Sequence, residues 1–158
     1  MRLTSTNIKV YRATEDEINA VNTIIDEYCN VIGVMVRDTP DQLKKYFHLD
    51  SGVWLASHEE NIVGCVVLRP LPTLEKSCEV KRLYVRETYR GKHIADALMN
   101  ALEEYAKNQS YSAAYLDSKD DLQAAIRFYE RRGYEVCERY NDNPQATIFM
   151  RRQLLQQT

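Results

Sequence analysis

Between Ile8 and Arg12 apolar and polar residues alternate, the period of a half-buried strand, and after Thr14 the pattern changes to steps of three and four. Ile18, Val21, Ile25, Tyr28 and Ile32 fall on one stripe of a helix, opened by Thr14 and Glu17 in the spacing of a capping box. Thr39, Pro40 and Gln42 predict a second helix running to about Phe47, because proline suits the first helical position and glutamine can reach back to the cap. Gly52 to Ser57 and Ile62 to Leu68 are β-branched and apolar runs joined by the polar His58 to Asn61, which predicts a hairpin. Cys78 to Val85 reads as the next strand, after a loop from Pro70 to Ser77.

Ile94, Ala97, Leu98, Ala101, Leu102 and Tyr105 then give an apolar face to a helix of about three to four turns. Ala113 to Leu116 is a short strand, and Asp120 or Asp121 is expected to cap a helix that carries Ala125, Ile126 and Tyr129 and stops at Gly133. Tyr134 to Arg139 and Thr147 to Arg152 close the chain as strands. Strand, two helices, three strands, helix, strand, helix, two strands is an α+β order, a mixed sheet with helices on its faces.

Composition narrows the function classes. The 158 residues suit one compact domain over residues 1–158, with 44% hydrophobic and 28% charged residues, as in ordinary globular chains. A net charge of -2 offers no broad cationic field, so neither nucleic acid nor an anionic membrane is expected as a partner. Cys29, Cys65, Cys78 and Cys137 lack the close spacing of a zinc site or redox dithiol and read as reduced core thiols; no metal is expected. The opening MRLTSTNIKVYR has no apolar targeting core and no stretch is long enough to span a bilayer, so a cytoplasmic location is expected. His48 and His58 lack the spacing for metal or nucleophile chemistry, and Trp54 reads as core.

The chemistry concentrates in Cys78 to Tyr105, where a strand leads through a basic turn into the amphipathic helix. A helix start leaves backbone N–H groups unpaired at the positive end of the helix dipole, the arrangement that receives a pyrophosphate. Arg90 and Lys92 add charge, and Gly91 permits close approach and positive φ.

Arg90-Gly91-Lys92-His93-Ile94-Ala95, following Val85, resembles the acetyl-CoA signature of the GNAT superfamily of N-acetyltransferases, Gln/Arg-x-x-Gly-x-Gly/Ala. Ala125-Ile126-Arg127-Phe128-Tyr129 with Arg132-Gly133-Tyr134 resembles the family's second motif. The resemblance implies a GNAT fold: a central mixed, mostly antiparallel sheet of about six to seven strands flanked by about four helices. It implies acetyl-CoA as co-substrate and no metal, with the phosphates on Arg90 to Ala95 and the pantetheine arm along the backbone of Leu83 and Val85. His93 stands where the pattern has its central glycine, a substitution expected to fit if the backbone there is already helical. Leu122 stands where many relatives carry an asparagine that bonds the pantetheine arm.

By the same resemblance Tyr129 is the general acid that protonates the leaving thiolate. Glu79 is the candidate base, read equally well as a strand-edge carboxylate paired with Lys81; strict alternation would put Glu79, Lys81, Leu83 and Val85 on one face. Lys81 is a candidate contact for a substrate carboxylate, alongside the reading of Lys81 and Arg82 as a solvated basic pair. The loop Tyr140 to Pro144 is at a position that often borders the acceptor site in such enzymes. The expected activity is acetyl transfer from acetyl-CoA to a primary amine of a small carboxylate-bearing molecule. The alternatives are a protein lysine or N-terminus as acceptor, or a non-catalytic CoA-binding domain; GNAT domains often form homodimers through their late strands.

Overall fold

The computed structural model describes residues 7–156, so the first six residues of the opening stretch lie outside it. Its elements are β1 (Ile8–Arg12), a 3-10 turn (Glu15–Glu17), α1 (Ile18–Ile32), α2 (Pro40–Lys45), β2 (Gly52–His58) and β3 (Asn61–Pro70). There follow β4 (Ser77–Val85), a 3-10 turn (Glu87–Tyr89), α3 (Ile94–Asn108), β5 (Ala113–Ser118), α4 (Gln123–Arg131), β6 (Glu135–Val136) and β7 (Ile148–Gln153). Both predicted capping boxes form, at Thr14 with Glu17 and at Thr39 with Gln42.

The strands make one sheet in the order β1-β2-β3-β4-β5-β7-β6. Only β4 and β5 run parallel; every other neighbouring pair is antiparallel. This is the mixed sheet that the element order predicts, and its mostly antiparallel pairing with four α-helices among the described residues is what the GNAT resemblance implies. One face carries α1 and α2, packed through Val21, Ile25 and Leu43 onto Leu55, Cys65 and Val67. The opposite face carries α3, whose Ile94, Leu98, Met99 and Leu102 are buried against Trp54, Val66 and Leu68. Two apolar layers thus fix the sheet from both sides, as a sheet with both faces covered requires.

Three details depart from the sequence reading. The helix α4 is capped by Leu122 and not by Asp120 or Asp121, because Leu122 N–H bonds back to Lys119 O at 3.0 Å and a turn delays the helix to Gln123. The strand expected over Tyr134 to Arg139 shortens to Glu135–Val136. Arg139 stays exposed and instead lays its guanidinium over the Phe149 ring at 4.6 Å.

The third departure is in β4. Cys65 is opposite Tyr84 while Val67 is opposite Lys81, so β4 carries one extra residue there, and Arg82 has φ 59. This bulge breaks the alternation. Cys78, Val80, Leu83 and Val85 belong to the α3 side, whereas Tyr84 packs with α1. Leu83 and Val85 therefore do not share a face with Glu79 and Lys81. Opposite the bulge Gly64 is required by close approach: a Cβ there would lie 2.7 Å from Tyr84 O. Arg82 itself reaches under the α1–α2 loop and pairs with Asp38 at 3.3 Å, both side chains buried.

Candidate active site

The parallel pair β4–β5 is joined only from Ser77↔Ala113 to Glu79↔Tyr115. Beyond these positions the two strands diverge, and the β5-facing backbone edge of β4 from Val80 onward has no strand partner. That wedge opens on two cavities. The first, about 1020 Å³, is lined by Val85, Arg90, Gly91, Ile94, Ala95 and Phe128 among others. The second, about 490 Å³, is lined by Lys81, Leu83, Asp117, Leu122, Tyr129 and Asn141 among others. The same strand and the same helix serve both: Leu83 and Tyr129 face the second, Val85 and Phe128 the first.

The first cavity ends on the start of α3. No side chain caps that helix, so the backbone N–H groups of its first turn remain available to an anion. Gly91 has φ 77 and His93 φ 62, two left-handed residues that shape the turn into a concave anion cradle. A backbone already right-handed and helical at His93 is thus not what the structure has; the position calls for the glycine of the motif because its φ is positive. The imidazole does not crowd the cradle. It is exposed and lies 3.4 Å from Asp96. Arg90 Nε donates to Val85 O at 3.1 Å, which folds its guanidinium back along β4, and Lys92 is not among the residues lining this cavity. The cradle and the free edge of β4 fit a ligand with a pyrophosphate at one end and an amide-bearing arm.

Behind the cradle, α3 and α4 are tied by buried charge. Arg132 donates to Asp96 at 3.0 Å and to Glu103 at 2.7 Å, and Glu103 also accepts from Arg152 at 2.9 Å and from Tyr134 at 2.9 Å. Asp96, Glu103, Arg132 and Arg152 of this network lie on the wall of the first cavity. The sequence reading missed it.

In the second cavity Tyr129 presents a hydroxyl that makes no hydrogen bond among the described residues. Burial raises its pKa above the ordinary 10.0, with the Tyr28 hydroxyl and Asp117 carboxylate adding to the rise. The group stays protonated at neutral pH. Asp117, at the end of β5, accepts from Asn141 Nδ2 at 2.7 Å and from Asn143 Nδ2 at 3.4 Å. Its role was not foreseen; a carboxylate at the end of the strand before the helix that carries Tyr129 was the available signal. Lys81 forms no hydrogen bond or ion pair among the described residues. Its pKa is lowered, first by burial and then by the Arg69 and Arg82 guanidinium groups.

Glu79 is in neither cavity lining and is 1% exposed. Its partner is not Lys81 but Arg69, the residue opposite it on β3, with Nε and one terminal nitrogen each 2.7 Å from Oε1. The Tyr140 hydroxyl and Asn141 Nδ2 donate to Oε2 at 2.6 and 3.1 Å. A carboxylate so enclosed borders neither cavity, so as the candidate base Glu79 has no direct contact with an amine there and is separated from the second cavity by Asn141. It holds Asn141, which in turn holds Asp117. Among the described residues no cluster of three or more His, Cys, Asp or Glu is arranged to hold a metal, and no helix is long and apolar enough to cross a membrane.

Residues 21–134 match the model of the acetyltransferase (GNAT) family. An N-acetyltransferase of Schizosaccharomyces pombe is 27% identical over 159 residues, 96% of each chain. Human N-acetyltransferase 8B is 34% identical over 102 residues, covering 62% of this chain and 45% of its own, so the match spans less than half of that longer relative. Among solved structures, a GNAT acetyltransferase of Staphylococcus aureus Mu50 superposes with a TM-score of 0.79 at 22% identity, covering 94% of this chain and 99% of its own. The Salmonella typhimurium acetyltransferase yncA, solved with acetyl-CoA, gives 0.74 at 17% identity and covers 96% of each chain.

Proposed function

The chain belongs to the acetyltransferase (GNAT) family, and from that premise we propose that it moves the acetyl group of acetyl-CoA to the primary amine of a small carboxylate-bearing molecule. The observation that carries this reading is the wedge between β4 and β5, which joins an anion cradle to a polar cavity through the unpaired edge of one strand. Acetyl-CoA supplies an activated thioester, and its presence in the Salmonella relative of the same fold supports its use here.

In this reading the N–H groups around Gly91 to Ala95 hold the phosphates, and the backbone at Leu83 and Val85 pairs with the pantetheine arm. His93 borders the cradle, and Lys92 adds positive charge from the same turn without lining the cavity. Leu122 offers an apolar wall where a side-chain amide would add a hydrogen bond, so affinity rests on backbone contacts.

An acceptor arriving as ammonium must lose a proton before its nitrogen can attack. Asp117, lining the cavity and fixed by Asn141, is the group best disposed to take that proton. Tyr129 supplies a proton to the departing sulfur, and its free hydroxyl and raised pKa keep that proton available. Lys81, unpaired in the same cavity, is the complement for a carboxylate on the acceptor. Glu79 is a positioning residue that acts through Asn141.

The test is thiol release from acetyl-CoA against a panel of primary amines, with and without carboxylates, using Tyr129→Phe as control. Acceptor-dependent release that favours the carboxylate-bearing members is expected. Tight cofactor binding with no release on any amine would overturn the proposal in favour of a CoA-binding domain.

A further inference from the structure

The side-chain amide of Gln145 joins two loops across the rim of the second cavity. Its Oε1 accepts from Met35 N–H at 3.0 Å and its Nε2 donates to Gly33 O at 3.1 Å. Val34, between the two bonded residues, and Gln145 itself both line the cavity. One glutamine therefore closes a bridge between the loop after α1 and the loop before β7.

Both ends of the bridge are fixed independently of it. On the α1 side, the N–H groups of Gly33 and Val34 both bond to Cys29 O, at 2.9 and 3.0 Å, and Arg37 Nε donates to Val34 O at 3.1 Å. The same loop is anchored to β4 by the buried Arg82–Asp38 pair. On the β7 side, Arg139 donates to the carbonyls of Asn141, Asn143 and Ala146, at 3.3, 3.2 and 3.2 Å. Asn143 Oδ1 in turn accepts from Gln145 N–H at 3.1 Å. Joining two loops that are already ordered costs little further conformational entropy, so a pair of modest hydrogen bonds suffices to keep the bridge closed.

We propose that the Gln145 clasp sets the size of the acceptor: it admits a free small amine and excludes an amine carried on a polypeptide chain, whose backbone would have to pass through the bridge. The inference rests on the reading of the second cavity as the acceptor site. That cavity must also accommodate the reacting end of the cofactor beside Tyr129, which leaves a small part of its 490 Å³ for the acceptor. The rim residues Met35 and Val36 are strongly exposed and uncharged, at 79% and 72%; of the carboxylates lining the cavity Asp38 is paired with Arg82 and Asp117 is held by Asn141 and Asn143, so among the described lining residues Asp142 alone is left to meet a basic polypeptide tail.

The experiment compares the protein with Gln145→Ala and Gln145→Glu. The second variant keeps the acceptor for Met35 N–H but sets a carboxylate against Gly33 O. The probes are free α-amino acids and, for each, a short peptide carrying the same residue at its N-terminus. The protein should favour the free amines, and the ratio of kcat/KM for peptide over free amine should rise at least about tenfold in both variants. Hydrogen exchange at the Met35 amide should accelerate at least about tenfold in Gln145→Ala, showing that the clasp has opened in a folded protein. An unchanged ratio with faster exchange at Met35 refutes the gate, as does a protein that acetylates peptides and free amines equally well. If Asp117→Asn and Lys81→Met leave kcat/KM unaltered for every free amine, the acceptor binds elsewhere and it is the cavity assignment that fails. Absence of turnover on any amine refutes acetyl transfer itself.

Discussion

Tyr140 donates its hydroxyl hydrogen to Glu79 at 2.6 Å, from a loop on the cavity rim to a carboxylate inside the sheet. Burial and the neighbouring carboxylate raise the Tyr140 pKa, so the donor keeps its proton and the bond persists at alkaline pH. Because Arg69 and Asn141 complete the shell around Glu79, its charge is compensated only while all three partners stay in place. Replacing it removes the compensation for Arg69, whose side chain is 38% exposed and so recovers part of its hydration. Glu79→Gln should therefore destabilise the fold by about 2–4 kcal/mol, toward the lower end of what breaking a buried pair costs, read from urea denaturation. A fold of unchanged stability that has lost the acid limb of its pH–rate profile would restore Glu79 as the base.

The Tyr129 hydroxyl has no partner among the described residues, so its removal breaks no hydrogen bond there. Tyr129→Phe should leave thermal stability and coenzyme A affinity close to those of the parent while kcat falls about a hundredfold, within the usual range for a general acid. Single-turnover kinetics with saturating acetyl-CoA measures this directly. An unaltered kcat would mean that the departing sulfur takes its proton from another source.

The apolar stripes of α1 and α3 and the alternation of β1 were legible because burial of one face imposes its period on the sequence. The cradle was legible because Gly91 and the helix start are local features. The bulge at Arg82 was not: nothing but an arginine in left-handed conformation marks it, and that conformation is held by Asp38, 44 residues away in sequence. Losing the bulge reversed the faces assigned to Leu83 and Val85. Glu79 with Arg69, Asp117 with Asn141 and Gln145 with Met35 are likewise pairings set by strand register or loop closure, which residue spacing does not encode.

His93 holds φ 62 at the mouth of the cradle, a conformation that costs a residue with a Cβ about 1–2 kcal/mol. Glycine relieves that strain but gains more freedom in the unfolded chain, which offsets part of the benefit. His93→Gly should raise stability by about 0.5–1 kcal/mol in thermal denaturation. Gly91→Ala, at φ 77 with open space around a Cβ, should lower it by about 1 kcal/mol through strain alone. A His93→Gly variant that is less stable than the parent would show that the contact with Asp96 outweighs the strain.

Lys81 gives the acceptor site its own pH dependence. Burial, reinforced by Arg69 and Arg82, lowers its pKa from 10.5, so the native lysine releases its proton at a pH where the unfolded chain still holds one. Between the lowered native value and 10.5 the unfolded state binds more protons, and the stability linked to this group rises with pH; below that window the cost of burying the charge is fully present. Binding follows the opposite course, since only the protonated amine pairs with a carboxylate. KM for a carboxylate-bearing acceptor should climb as pH rises through the lowered pKa, while Tyr129, raised above 10.0, still carries its proton and kcat holds. Lys81→Met should remove the alkaline rise in KM, increase KM at neutral pH, and stabilise the fold by deleting a charge that has no partner. Steady-state kinetics across the alkaline range, run beside denaturation of both proteins, reads all three effects. A KM that stays flat in the parent protein would mean that Lys81 does not touch the acceptor.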